Sequence, residues 1–208
     1  MARWREQEWP RILDHAAKVA ARIVAIDETG MLMRPLVRKS LARRGHPLVI
    51  RYKSNHRQKV SVQGEVILGP DGRAEAFRTT MHEDAYVDGL ATAEFLRRLL
   101  REFDGPLIVV WDRGNMHKGP HVRQVLQEFP RLTLEQLPPY CPDLNPAEPV
   151  WGWIKYRWMA NFCPRTLKEL ASKVTTAIIR VQENIGMLDR FTRSCGLRTA
   201  EPDRRLAA

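Results

Sequence analysis

The chain has 208 residues, of which 44% are hydrophobic, 28% charged and 8% aromatic. That composition supports one well-filled domain and excludes disordered and fibrous classes. The formal net charge of +10 fits either a solvated basic surface or a polyanionic partner.

The N-terminal "MARWREQEWPRILDH" has no apolar stretch of the kind a signal peptide needs, and no run long enough to cross a membrane follows. Cys141, Cys163 and Cys195 are odd in number and form no CxxC pair, so neither a zinc site nor a disulfide framework is expected. A cytoplasmic, nucleoid-associated protein with no membrane partner is the expectation.

Residues 4–19 read as an amphipathic helix with Pro10 near its start. "ARIVAID" (21–27) is apolar and β-branched, predicting a buried strand that ends on Asp27. Between Arg34 and Lys59 lie nine basic residues and no acidic one, among them Arg34, Arg38, Lys39, Arg43, Arg44 and Lys53. A run of one sign and this length favours phosphate contacts, because neutralised phosphates release counterions.

Within and after that run, 47–52 and 60–68 read as strands, "GPDG" (69–72) as a tight turn and 73–80 as the returning strand of a hairpin. Residues 84–103 predict a helix capped by Asp84. "PLIVVWD" (106–112) is a second buried strand ending on an Asp, 119–129 a helix with Pro120 in its first turn, and 132–138 a third strand of this block. "LPPYCPDLNPAEPVW" (137–151) leads into a helix from about Pro146 to Asn161. A last helix covers about 165–185, with room to continue beyond, and a polar tail begins at Thr199.

An antiparallel strand block followed by alternating helices and strands predicts an α/β fold: a mixed sheet with helices on both faces. Right-handed crossovers bring the ends of "ARIVAID" and "PLIVVWD" together, where strand ends open into a crevice. Two buried aspartates meeting without a basic partner repel each other. A divalent cation relieves this, and hard oxygen ligands suit Mg²⁺ or Mn²⁺. Each Asp taken singly also fits a loop or helix cap. Glu148 is equally two-sided: with Asn145 as N-cap and Pro146 at N1 it sits at N3 of a capping arrangement, yet a helix start also holds a metal ligand rigidly.

"AIDETG", "VVWDRGNMHKG" and "LPPYCPDLNPAEPVWGWIK" together resemble the catalytic core of mariner-like transposases of bacterial insertion sequences, the insertion sequence 630 group. The resemblance runs from about Trp4 to about Leu197, and the 35 residues between Asp112 and Glu148 are close to the family's spacing. It implies an RNase H-like (retroviral-integrase-like) fold with a five-stranded mixed sheet, spanning 1–198 with a lead-in helix over 1–20 and a polar tail over 199–208.

It also implies an Asp–Asp–Glu triad of Asp27, Asp112 and Glu148 holding two Mg²⁺ ions, with Mn²⁺ able to substitute, roughly 3.5–4 Å apart across a scissile phosphate. Asp27 would be shared between the ions, and Asp112 and Glu148 would each complete one. Cleavage at the element ends and strand transfer into target DNA would use this one site. Implied partners are DNA, a second copy of the chain, and a helix-turn-helix protein from an upstream reading frame, since that region of full-length relatives is not represented here. A hydrolytic nuclease without joining activity and an inactive DNA-binding remnant are the alternatives.

Several neighbours carry readings of their own. Glu28 is expected on the other side of the strand from Asp27, beside the site at most. His117 fits the His often found after the second Asp of the family, orienting phosphate or water, or a helix-start bond. Its HxxxH spacing with His121 is broken by Gly119 and Pro120, against zinc. Asp143 and Asn145 shape the turn and cap the helix. Trp151 and Trp158 share a core face while Trp153 points elsewhere and could stack on a base. Lys155 and Arg157 are candidate phosphate contacts. Arg113 and Cys141 replace the Asn and Ser common in the family, and neither removes a ligand.

Overall fold

Along the central strand, β1 (Arg22–Leu32), alternate side chains enter two separate cores. The computed structural model describes residues 1–47, 49–52, 58–84, 88–197 and 199, with only the backbone at Met116. β1 is flanked by β2 (Lys59–Leu68) and β4 (Leu107–Trp111), with β3 (Ala74–Glu83) and β5 (Leu132–Gln136) outside them. The sheet order is β3-β2-β1-β4-β5. β2 runs antiparallel to both β1 and β3, and β1, β4 and β5 are parallel. This is the expected five-stranded mixed sheet. The β2–β3 turn closes through Gly69 N–H donating to Arg73 O at 2.9 Å, with Gly72 in the left-handed region at φ 79°.

Ile23 and Ala25 pack toward α1 (Trp9–Val19), α4 (Ala147–Trp153), α5 (Leu167–Gln182) and α6 (Ile185–Ser194). Val24 and Ile26 pack toward α2 (Gly89–Glu102) and α3 (Pro120–Glu128). Period-two alternation in a strand buried on both faces thus assigns each odd-numbered β1 side chain to the α4 side and each even-numbered one to the α2–α3 side.

The structure corrects several element boundaries. Residues 47 and 49–52 form no strand, and Val49 and Tyr52 are exposed; so short an apolar run among cations buries too little to hold a strand in register. Helix α2 starts at Gly89 with the Asp88 carboxylate accepting from Ala91 N–H, not at Asp84, which ends the hairpin at φ 50°. The helix expected over 4–19 begins with a π-helical turn, Trp4–Glu8, ahead of Pro10, which has no N–H to continue an α ladder. The final helix breaks at Asn184, whose side chain accepts from Met187 N–H and starts α6. The tail, Thr199 apart, lies outside the described residues. Among the described residues no helix is long and apolar enough to cross a membrane. The three cysteines are free, and burial pushes the Cys195 thiol up to about 11.

Candidate active site

Parallel pairing of β1 with β4 ends at Ala25 opposite Val110. Two residues further on come Asp27, still within β1, and Asp112, one residue past the end of β4, so the same register that aligns the strands aligns the two carboxylates. Both side chains fall on the α4 face by alternation. Asp27 is not the last residue of its strand, as the sequence suggested. Antiparallel β2 holds β1 as far as Leu32 opposite Lys59, while β4 stops, and the sheet opens on one side of Asp27 only.

Glu148 reaches the same opening from the first turn of α4. Asn145 is buried and does two things: its Oδ1 accepts from Ala147 N–H at 3.1 Å, and its Nδ2 donates to Ile26 O, one residue before Asp27, at 3.0 Å. The N-cap position falls to Pro146, one residue later than expected, and the first bond closes a turn onto the residue that opens α4; the second ties that helix start directly to β1. The reciprocal arm of a capping arrangement is not made, because Asn145 N–H donates to Pro142 O at 2.8 Å. The Glu148 carboxylate is therefore not needed at Asn145 and is left to the cleft.

Asp27, Asp112 and Glu148 line one cleft of about 390 Å³, together with Arg113, Asn145 and the loop 137–142. Burial, then the charges of Glu148, Glu28 and Asp112, push the Asp27 carboxyl up to about 8, against an ordinary 3.8. Among the described residues no three carboxylate, imidazole or thiol groups converge to coordinating distance; the acids surround the opening without meeting. An all-oxygen donor set of like charge is one that suits a hard divalent cation.

Two tryptophans make contacts that the sequence did not announce. Trp151 is core, but its indole N–H also donates to Asp27 Oδ2 at 3.1 Å. Trp153 is half-buried beside Trp158, with ring centroids 5.8 Å apart. The helix expected to run on to Asn161 passes into a π-helical turn, Ile154–Trp158, whose five-residue bonding brings positions 153 and 158 onto one face. Trp158 is in turn covered by the Arg180 guanidinium.

Behind the cleft, His117 is buried and stacked on Trp111 with ring centroids 4.3 Å apart. Its Nδ1 faces Asp112 Oδ1 at 3.0 Å and its Nε2 faces Glu28 Oε1 at 3.4 Å. Gln63 donates to the same Glu28 oxygen at 3.2 Å. Burial lowers the His117 pKa, but bonding to Glu28 and the charges of Glu28 and Asp112 outweigh it and the net direction is up. Glu28 thus lies on the far side of β1, as expected. His121 is exposed on α3 and forms no pair with His117.

Of the expected phosphate contacts, Arg34, Arg38, Lys39, Arg43, Arg44 and Arg157 are exposed, Lys155 is half-buried, and Lys53 lies outside the described residues. Arg38 packs over the Tyr156 ring, and its backbone exchanges hydrogen bonds with the Asn161 side chain. Lys155 lines both a hollow that includes Glu148 and a neighbouring groove that includes Arg34 and Tyr156. Asp143 is exposed in the 3₁₀ turn Pro142–Leu144. Sequence reading missed Tyr140, which stands fully exposed at the cleft with φ 56°. Its place among four prolines was the available signal.

Residues 22–171 match the family profile described as DDE superfamily endonuclease. A crystal structure of the Mos1 mariner paired end complex with Mn is similar over 92% of this chain and 57% of that chain, at 16% identity and TM-score 0.62. The crystal structure of the catalytic domain of Mos1 mariner transposase is similar over 92% of this chain and 90% of that one, at 13% identity and TM-score 0.57. These similarities show the RNase H-like fold. An uncharacterized protein of Sinorhizobium fredii (strain NBRC 101917 / NGR234), y4pE/y4sA, is 33% identical over 78 residues, 36% of this chain and 55% of that protein. The chain thus spans somewhat over half the length of that relative and of the Mos1 chain in the paired end complex.

Proposed function

The chain belongs to the DDE superfamily endonucleases, and we propose that it is the catalytic domain of a mariner-like transposase, cutting DNA at element ends and joining those ends to target DNA. Residues 1–198 form the catalytic unit in this reading, and Asp27, Asp112 and Glu148 are its catalytic and metal-holding residues. The observation that carries the reading is that Asp27, Asp112 and Glu148 line one cleft, where burial and the charges of Glu148, Glu28 and Asp112 push the Asp27 carboxyl up to about 8. A site that concentrates negative charge at a sheet opening is costly unless a cation answers it.

Bound Mg²⁺, or Mn²⁺ in its place, would activate the attacking water or 3′-hydroxyl and stabilise the leaving oxygen of an in-line displacement. The protein's own part is to hold the three carboxylates rigidly: Asp27 by β1, Asp112 through Gly114 N–H and His117, and Glu148 by a helix start tied to Ile26. DNA is the partner, engaged through the exposed cations of 34–44 and Lys155, and the paired-end and strand-transfer complexes of the Mos1 neighbours support two copies acting on two ends.

The test is a joining assay. A labelled, pre-cleaved element end, incubated with target DNA, the protein and Mg²⁺, becomes covalently attached to the target. Hydrolysis without joining would favour a simple nuclease. Unimpaired metal-dependent cleavage by Asp27→Asn, Asp112→Asn and Glu148→Gln would overturn the triad.

A further inference from the structure

We infer that Trp151 is a positioning residue for Asp27, and that Gly64 is the residue whose missing side chain lets it act. The inference rests on the metal-holding role proposed above for Asp27 and adds to it a neutral support on the protein side.

An indole N–H only donates, and a buried one is costly unless it meets an acceptor. Trp111 and Trp158 bury their indole nitrogens without one, so burial of a tryptophan in this protein does not by itself deliver an acceptor. Trp151 does have one, Asp27 Oδ2 at 3.1 Å. That bond spans two elements far apart in the chain, and Trp151 follows Glu148 by three positions on the same helix. One helix therefore presents an acid to the cleft and a donor to the acid opposite.

The sheet is built to admit the ring. Asp27 pairs directly with Gly64 across β1 and β2. A Cβ at Gly64 would stand 2.4 and 2.5 Å from Cζ2 and Cη2 of the Trp151 ring, distances at which something must move. The ring itself is 1% exposed and held edge-on by Phe77, with centroids 5.6 Å apart, so it has little room to yield.

The choice of a neutral donor has a physical reason. A Lys or Arg at this place would neutralise Asp27 and compete with a cation for it. An indole N–H fixes one carboxylate oxygen while leaving the negative charge, and the other oxygen, for a metal. Groups that orient a ligand from behind in this way are commonly worth about 10- to 100-fold in metal affinity or activity.

The experiment measures Mn²⁺ binding to the full chain by titration calorimetry with MnCl₂ alone, beside the Mg²⁺ concentration needed for half-maximal cleavage and the melting temperature. Asp27→Asn abolishes Mn²⁺ binding. Trp151→Phe keeps a ring but loses the donor and weakens Mn²⁺ binding by about tenfold. Phe also lacks the ring carbons that crowd Gly64, so Gly64→Ala weakens binding in the wild-type background and adds little in Trp151→Phe. That non-additivity separates positioning from general loss of fold.

If Asp27→Asn binds Mn²⁺ as the wild type does, the metal-holding reading itself fails. If Asp27→Asn loses binding while folded Trp151→Phe keeps it, or if the two substitutions simply add, the positioning role is overturned.

Discussion

His117 joins Asp112 to Glu28: one ring nitrogen lies 3.0 Å from the Asp112 carboxylate on the α4 face, the other 3.4 Å from the Glu28 carboxylate on the opposite face. The imidazole therefore braces Asp112 from behind the sheet. His117→Ala should lower the rate of cleavage about 10- to 100-fold, with His117→Gln recovering part of it and DNA affinity unchanged. Single-turnover cleavage together with a DNA-binding isotherm checks both; an unimpaired His117→Ala would remove the bracing role.

Stability of the metal-free protein should depend on Asp27 with a definite sign. Its carboxyl is held up to about 8 in the folded state against an ordinary 3.8, so between those values the folded protein binds more protons than the unfolded one. Stability then falls as pH rises through this window. In EDTA the melting temperature of the wild type should decline over that range more steeply than that of Asp27→Asn, and Mn²⁺ should offset the decline at the upper end.

Asn145→Ala removes the side-chain acceptor of the first α4 N–H and leaves the Ile26 carbonyl without its donor. A loss of about 2 kcal/mol is expected from the two together, read by denaturant unfolding. Because the bond ties the Glu148 helix to the Asp27 strand, cleavage should fall further than the loss of folded protein explains.

Glu65 is fully buried in β2 and paired with Arg98 of α2. Burial outweighs the Arg98 charge and pushes its carboxyl up. Arg98→Ala should cost roughly 1–3 kcal/mol through an unanswered buried acid, and adding Glu65→Gln should restore part of it. Equal unfolding midpoints for the single and double variants would refute this.

Arg43 and Arg44 are exposed in a turn that uses Gly45 at φ 80°. Reversing both charges should weaken DNA binding and flatten its dependence on salt, by about one unit of slope for each phosphate that is no longer neutralised. An unchanged slope would place DNA elsewhere on the protein.

The strands of the sheet core, the hairpin and the approximate place of every helix but α6 were legible, because alternation, turn residues and caps are written in neighbouring positions. Asp27, Asp112 and Glu148 could be marked as candidates for the same reason: two end apolar runs, and the third follows Asn145 and Pro146 at a helix start. Other features had no such local mark. β1 runs past Asp27 because β2 pairs with it there. The π-helical turn at Ile154–Trp158 moved Trp153 onto Trp158, against a reading that assumed an unbroken helical period. Trp151 looked like an ordinary core residue, since nothing in "PVWGW" shows that its nitrogen meets an acid 124 residues earlier in the chain.

Local chemistry thus settles which residues begin helices, which fill the core and which acids stand where a strand run ends, since each depends on a few adjacent side chains. Convergence is a different matter. That Asp112 stands beside Asp27 follows from parallel register, that Glu28 reaches His117 follows from the two faces of one strand, and that an indole fits over Gly64 follows from how α4 packs on β2. Those distances are the outcome of packing the whole chain at once, and no short stretch of it contains them.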